Sequence, residues 1–236
     1  MNQQTIWNKL AEQWSIFRRR TPSEVENFIA DKKGKILDLG CGSGRNIIPN
    51  THIKYYGVDF SEEMLKIAEK TTTSSGFREK QCFSGPRKSF DFRGSVIPAT
   101  SQKNKKTGAI FFQVDIGKEK LPFKTSFFDA AVFISTLHCL ETEKERKYAL
   151  KELYRVMKKN SNAMISVWKR GVNGLYGKEG LLNWKNKGVN YARYYYFYDE
   201  KELESLLKSV GFKIIKAEKQ DSSHSNKNIV VYVQKK

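Results

Sequence analysis

Residues 36–44 read ILDLGCGSG. An apolar run carrying Asp38 stops at Gly40, Gly42 and Gly44, which are spaced two apart with Cys41 and Ser43 between them. Glycines at the end of a buried strand let the chain turn tightly and bring bare backbone N–H groups against a ligand. The spacing is G-x-G-x-G rather than the G-x-G-x-x-G of dinucleotide sites, and no Lys-Ser/Thr pair follows as in a phosphate loop. Both features weigh against a dinucleotide or triphosphate ligand.

Outward from this stretch, KILDL (35–39) and YYGVDF (55–60) are expected to be buried strands. A helix is expected after each, the second opening at Ser61 with Glu62 and Glu63 in its first turn. AIFFQVD (109–115), FDAAVFIS (128–135), AMISVW (163–168), FKIIKAE (212–218) and NIVVYVQ (228–234) continue the series, with helices over about 142–157 and 199–209. Helical spacing predicts two more helices at Thr5–Phe17 and Ser23–Ile29, broken by Arg18, Arg19, Arg20, Thr21 and Pro22. Only the polar turn DSSHSN separates the last two strands, so they should pair antiparallel. The pattern is α/β: a doubly wound, mostly parallel sheet with a terminal hairpin, in one domain over 1–236 whose N-terminal helices lie within 1–30.

Such sheets bind ligands in the crevice at the carboxyl ends of their strands. Asp59 falls there, about 20 residues beyond the glycines, where an acid accepts the two hydroxyls of a ribose. Asp115 ends the third strand and is placed to face an adenine amino group. Singly these are ordinary turn glycines and helix-capping acids. Together, at successive strand ends, they predict an adenosine-type site.

The 236 residues carry 43 Lys and Arg against 25 Asp and Glu, a formal charge of +18, so the chain should attract polyanions such as nucleic acid. Cys41, Cys82 and Cys139 are odd in number and lack ligand spacing, so neither a disulfide framework nor a metal site is suggested, as suits a cytoplasmic protein. No signal segment or membrane-length apolar run is read. Residues 71–108 set eight Lys and Arg against Glu79 and Asp91 where a short connection would suffice, and are expected to be a basic insertion, either a flexible solvated loop or a nucleic-acid contact. Residues 169–196 interleave six cations with Tyr176, Trp184, Tyr191, Tyr194, Tyr195 and Tyr196 against the single acid Glu179. That mixture suits phosphate tracking and stacking of single-stranded bases, with a buried tyrosine cluster as the alternative.

DLGCGSG, GVDFSEEML and QVDIGKEKLPFKTSFFDAAVFIS together resemble the class I S-adenosylmethionine-dependent methyltransferases, over nearly the whole chain apart from the insertion. The resemblance implies a Rossmann-like seven-stranded sheet with an antiparallel last strand and S-adenosyl-L-methionine as cofactor. It places Gly40, Gly42 and Gly44 along the methionine end, Asp38 beneath, and Asp59 on the ribose next to Phe60, with Asp115 and Ile116 framing adenine. WSIFRRR, STLHCLETEKERKYALKEL, AMISVWKR and ARYYYFYDEKELESLL resemble segments of the methyltransferases that esterify 5-carboxymethyluridine at the tRNA wobble position. Cys139 and Tyr196 replace histidines usual in that family. The resemblance implies tRNA, at its anticodon loop, as partner and a small zinc-binding activator as a second.

A carboxylate is already a nucleophile at neutral pH, so its methylation requires alignment and a dry pocket rather than a base. Arg18 and Arg193 fall in the matching segments and are candidates to orient it, or else phosphate contacts or surface charge. His138, just past the fourth strand, either hydrogen-bonds the substrate or packs structurally. Two other readings share the motifs: a small-molecule methyltransferase acting on a quinone, sterol or carboxylic acid, and a non-catalytic subunit that binds RNA or a partner.

Overall fold

A computed structural model describes residues 1–48, 50–73, 109–171, 177–219 and 228–236. Most of the expected basic insertion, 74–108, lies outside the described residues, as do Cys82 and Tyr176.

Two helices, α1 (Gln3–Phe17) and α2 (Ser23–Ala30), precede the sheet strands β1 (Gly34–Leu39) and β2 (Ile53–Asp59). Helix α3 (Glu62–Thr73), β3 (Ile110–Gln113), β4 (Phe128–Ile134), α4 (Glu143–Val156) and β5 (Met157–Trp168) follow. A separate pair, β6 (Glu179–Asn186) and β7 (Val189–Tyr196), comes before α5 (Glu200–Val210), β8 (Phe212–Lys219) and β9 (Asn228–Lys235). The main sheet has seven strands in the order β3-β2-β1-β4-β5-β9-β8. Strands β1 to β5 pair parallel, and β9 lies antiparallel between β5 and β8. The expected fold class is therefore the observed one. No helix among the described residues is long and apolar enough to cross a membrane.

Local chemistry sets the helix ends. Asn2 caps α1 by accepting the Thr5 N–H at 2.9 Å, Ser61 Oγ accepts the Met64 N–H at the start of α3, and Thr142 with Glu145 forms a reciprocal capping box on α4. Helix α5 runs from the Asp199 cap to Gly211, which takes φ +110°. The central strands are buried on both faces, with Leu37, Leu39, Phe133 and Ile165 packing on one side and Ile36, Tyr55, Val132 and Met164 on the other.

One expectation is corrected, and one stretch takes a form that was not expected. The helix expected after β1 is a run of turns over residues 42–46, because Gly40, Gly42 and Gly44 all take positive φ and cannot propagate a right-handed helix. Residues 179–196, within the 169–196 stretch whose cations and aromatics suited either nucleic acid or a buried tyrosine cluster, form the β6–β7 hairpin, closed by Lys187 and Gly188 at φ +48° and +83°. The hairpin is laid on α1: Asn186 Nδ2 donates to the Lys9 carbonyl at 2.9 Å, Trp184 Nε1 to Gln13 Oε1 at 2.6 Å, and the Tyr194 N–H to Gln3 Oε1 at 3.2 Å. Helix α1 and the hairpin thus form one wall over the carboxyl ends of the sheet strands.

Candidate active site

A cleft of about 980 Å³, measured to its open mouth, lies at those strand ends. Gly40 and Gly42, Asp59 and Phe60, Asp115 and Ile116 line its floor and one end. Asp59 ends β2, with one oxygen accepting the Gly42 N–H at 2.8 Å and the other the Ser61 N–H at 2.9 Å. Each oxygen keeps a second lone pair. Burial pushes its carboxyl up to about 6, against the pull of those N–H bonds. Asp38 is fully buried under the glycine turn, outside the cleft lining, where it accepts Asn46 Nδ2 at 3.2 Å and the Tyr55 hydroxyl. Burial raises it also to about 6.

The glycines divide their work. A Cβ on Gly40 would collide with the Thr136 side chain at 2.3 Å, so this glycine permits close approach of the β1 and β4 loops. A Cβ on Gly42 would meet nothing within 4 Å and would project into open space, at φ +52°. Gly44, expected along the ligand, is instead buried against Ala68 of α3 and does not line the cleft.

The other end is aromatic. Trp168 stacks on Tyr195 with centroids 4.6 Å apart, and the His138 ring stacks on Trp168 at 5.3 Å. The Trp168 N–H donates to His138 Nδ1 at 3.2 Å, which leaves Nε2 carrying the ring proton. Burial, then the charge of Arg18, lowers His138 to about 3, so the ring is neutral. Arg18 follows α1 and lines the cleft with its guanidinium over Trp14 and Phe17, both at 5.4 Å. Arg193 is not a lining residue. It is 3% exposed, boxed by Trp7, Trp14, Trp184 and Tyr195 within 5.5 Å, and its Nη1 donates to the Tyr195 hydroxyl at 2.5 Å. It stands behind Tyr195, which does line the cleft.

A family model described as a methyltransferase domain matches residues 9–217. The chain belongs to this methyltransferase family. Among its relatives, the tRNA (carboxymethyluridine(34)-5-O)-methyltransferase alkbh8 of Xenopus tropicalis is 25% identical over 69% of this chain and 20% of that protein. The tRNA (carboxymethyluridine(34)-5-O)-methyltransferase of Arabidopsis thaliana is 29% identical over 56% of the chain and 24% of that protein. The methyltransferase thus spans about a quarter or less of these relatives' length. An S-adenosylmethionine-dependent methyltransferase of Methanosarcina mazei superimposes with a TM-score of 0.64 at 22% identity, covering 92% of this chain and 98% of that one. The CcbJ methyltransferase of Streptomyces caelestis superimposes at 0.71 with 12% identity, covering 100% of this chain and 99% of that one.

The cofactor is S-adenosyl-L-methionine, and the residues present fit it. Gly42 leaves room for a ligand, Asp59 has lone pairs for two hydroxyls, and Phe60 and Ile116 offer apolar surface for a base. Asn46, which the sequence reading missed, lines the cleft with a buried Oδ1 that lacks a partner, as a bound ammonium group requires. Trp7, Trp14 and Thr136 were missed too, since they come from α1 and the β4 loop, which no local motif links to the glycines, and Tyr195, named above only among the aromatics of 169–196, joins them in the cleft lining.

Proposed function

We propose that this methyltransferase esterifies a carboxylate, that of 5-carboxymethyluridine at the wobble position of tRNA. The observation that carries the reading is the set of groups at the aromatic end of the cleft: Arg18, the His138 Nε2–H and the Tyr195 hydroxyl are donors, and among the described residues no group there is free to take a proton. His138 Nδ1 is engaged by the Trp168 N–H and its ring is held near 3. Burial pushes Cys139 up to about 12 and Tyr195 well above its ordinary value. An acceptor must therefore arrive already ionised, as a carboxylate does. The carboxymethyluridine methyltransferases among the relatives support the choice of carboxylate.

S-adenosyl-L-methionine supplies an electrophilic methyl on sulfur. Asp59 would accept from the ribose, Asn46 Oδ1 would accept from the ammonium, Asp115 and Ile116 would hold the adenine, and Asp38 holds Asn46 from beneath. Arg18 pairs with the acceptor carboxylate and His138 donates to it. Arg193 is a positioning residue, fixing the Tyr195 hydroxyl. Trp7, Trp14 and Trp168 exclude water, so the carboxylate meets the methyl without its hydration shell. Mass spectrometry of tRNA nucleosides after incubation with enzyme and cofactor tests the proposal; a methyl ester on carboxymethyluridine is expected.

A second reading, esterification of a small carboxylic acid, is favoured by the same aromatic walls, and is selected if small acids but no tRNA accept the methyl. Asp59→Ala should weaken cofactor binding about tenfold in either case, since a hydrogen bond to a charged group is worth about 1.5–3 kcal/mol. Because Asp59 must be ionised to accept two hydroxyls, cofactor affinity in the native protein should fall as pH drops through about 6. Calorimetry across pH 5–8 reads both effects, and an affinity indifferent to the substitution removes Asp59 from the site.

A further inference from the structure

The positive charge of this chain is not evenly available. In the stretch following β5, Lys169 pairs with Glu200 at 3.1 Å, Arg170 with Glu202 at 2.8 Å and Asp199 at 3.4 Å, and Lys178 approaches Glu202 at 4.0 Å. Arg193 is buried, Trp184 is packed against α1 and Tyr196 against Arg146, and Tyr195, stacked on Trp168, lines the cofactor cleft. Little remains there of a phosphate track with stacking platforms.

A different cluster has the opposite character. Arg18, Arg19 and Arg20 follow α1 directly, and Arg45 follows the glycine turn; with Ile16 and Phe17 they line an open groove of about 740 Å³. Among the described residues none of the four arginines is in an ion pair. Arg45 feels Asp38 and Glu24 only at longer range, and burial together with Arg18 draws its guanidinium down to about 10. The Thr21 hydroxyl donates to the Arg45 carbonyl at 2.5 Å, which ties the segment after α1 to the glycine turn and holds the four cations together. Phe17 is 59% exposed and Ile16 71%, an apolar ledge beside the charges. Arg18 and Arg45 line both this groove and the cofactor cleft, so the two are continuous. Arg45 is disfavoured by burial and by Arg18, and an anion with several charged oxygens relieves that while pairing with the neighbouring Arg19 and Arg20. An exposed ring at the same place gives a base a face to stack on.

We infer that the groove of Arg19, Arg20 and Arg45 with Phe17 binds the phosphodiester and base of a single-stranded RNA nucleotide adjoining the one whose carboxylate enters the cleft. The inference rests on the tRNA reading above. In it Arg18 stands at the junction, facing the acceptor, while Arg19 and Arg20 grip backbone phosphates.

The test compares the intact protein with its Arg19→Ala/Arg20→Ala variant, titrating an anticodon stem-loop RNA over a series of KCl concentrations. Calorimetric cofactor affinity serves as the control for folding. Each lost phosphate contact should reduce the log-log salt slope by about 0.7–0.9, so the double variant should lose about 1.5 from the slope and bind at least about tenfold more weakly at low salt. Phe17→Ala should abolish the fluorescence change of 2-aminopurine placed next to the target uridine. If the double variant keeps slope and affinity while Lys185→Ala/Lys187→Ala loses them, RNA binds the hairpin and the groove assignment is overturned. If the native protein shows no salt-dependent RNA binding, the tRNA reading itself fails. Arginine-dependent binding to phosphatidylserine vesicles in place of RNA would reassign the groove to a membrane surface.

Discussion

Gly42→Val should abolish detectable cofactor binding, a loss of about a hundredfold or more, while leaving the protein folded. Two effects combine. Residue 42 sits at φ +52°, where a residue with a side chain is strained by about 1–2 kcal/mol and a β-branched one by more. In addition the Cβ at this position points into empty cleft with no neighbour within 4 Å, so the valine methyls would occupy ligand space. The Gly42 N–H also holds one Asp59 oxygen at 2.8 Å, and a shift in the turn would release that carboxylate from the geometry that presents it to a ribose. Gly188→Ala separates strain from occlusion. Gly188 has φ +83° and equally open surroundings, but lies in the hairpin turn, so it should lower thermal stability with cofactor affinity intact. Isothermal calorimetry on both variants decides the matter; measurable binding by Gly42→Val near the native affinity would show that the ligand does not approach that turn.

The sheet was legible because its strands are buried on both faces and therefore read as continuous apolar runs, as in KILDL and FDAAVFIS. The cofactor end was legible for a related reason: Gly40, Gly42, Asp59 and Asp115 sit at the ends of those same strands, so fixing the strands fixes the acids. The helix misread after β1 and the hairpin left unread have physical origins. Three glycines after β1 suggested the helix start usual in nucleotide-binding folds, but their left-handed backbone closes a turn before any helix forms. Residues 169–196 were read by charge and aromatic content, which left a nucleic-acid contact and a buried tyrosine cluster both open, whereas alternation was the signal for the hairpin over 179–196. Trp184, Tyr191, Arg193 and Tyr195 share the face of the hairpin turned to α1, and their neighbours along each strand point the other way. Arg193 illustrates the limit. A guanidinium is ordinarily on the surface, and only the assembly of Trp7 and Trp14 from α1 with Trp184 from β6 makes a box in which it can be buried. Residues some 180 positions apart leave no local trace of that meeting.

The same geometry makes Arg18 the residue on which the proposed chemistry should depend most. Arg18→Lys keeps the charge but loses the planar fork, and should depress kcat by about a hundredfold or more, with a smaller change in RNA affinity, because pairing with both carboxylate oxygens is replaced by a point charge free to swing. Arg18 is suited to this role by what surrounds it: aromatic faces at Trp14 and Phe17 and no acid partner. Since the acceptor ionises near pH 4 and burial keeps His138 neutral down to about 3, none of the described groups at the aromatic end of the cleft takes up or loses a proton between pH 6.5 and 8.5, and the rate of the chemical step should be flat across that window. Below about 6 it should fall at subsaturating cofactor, as Asp59 takes up its proton. An amine or phenol acceptor would instead give a rate that climbs with pH, because its reactive form accumulates only as the proton leaves. The product supplies an independent check: a methyl ester releases methanol on mild alkaline treatment, and a transferred methyl that survives it would show that the acceptor oxygen was never a carboxylate.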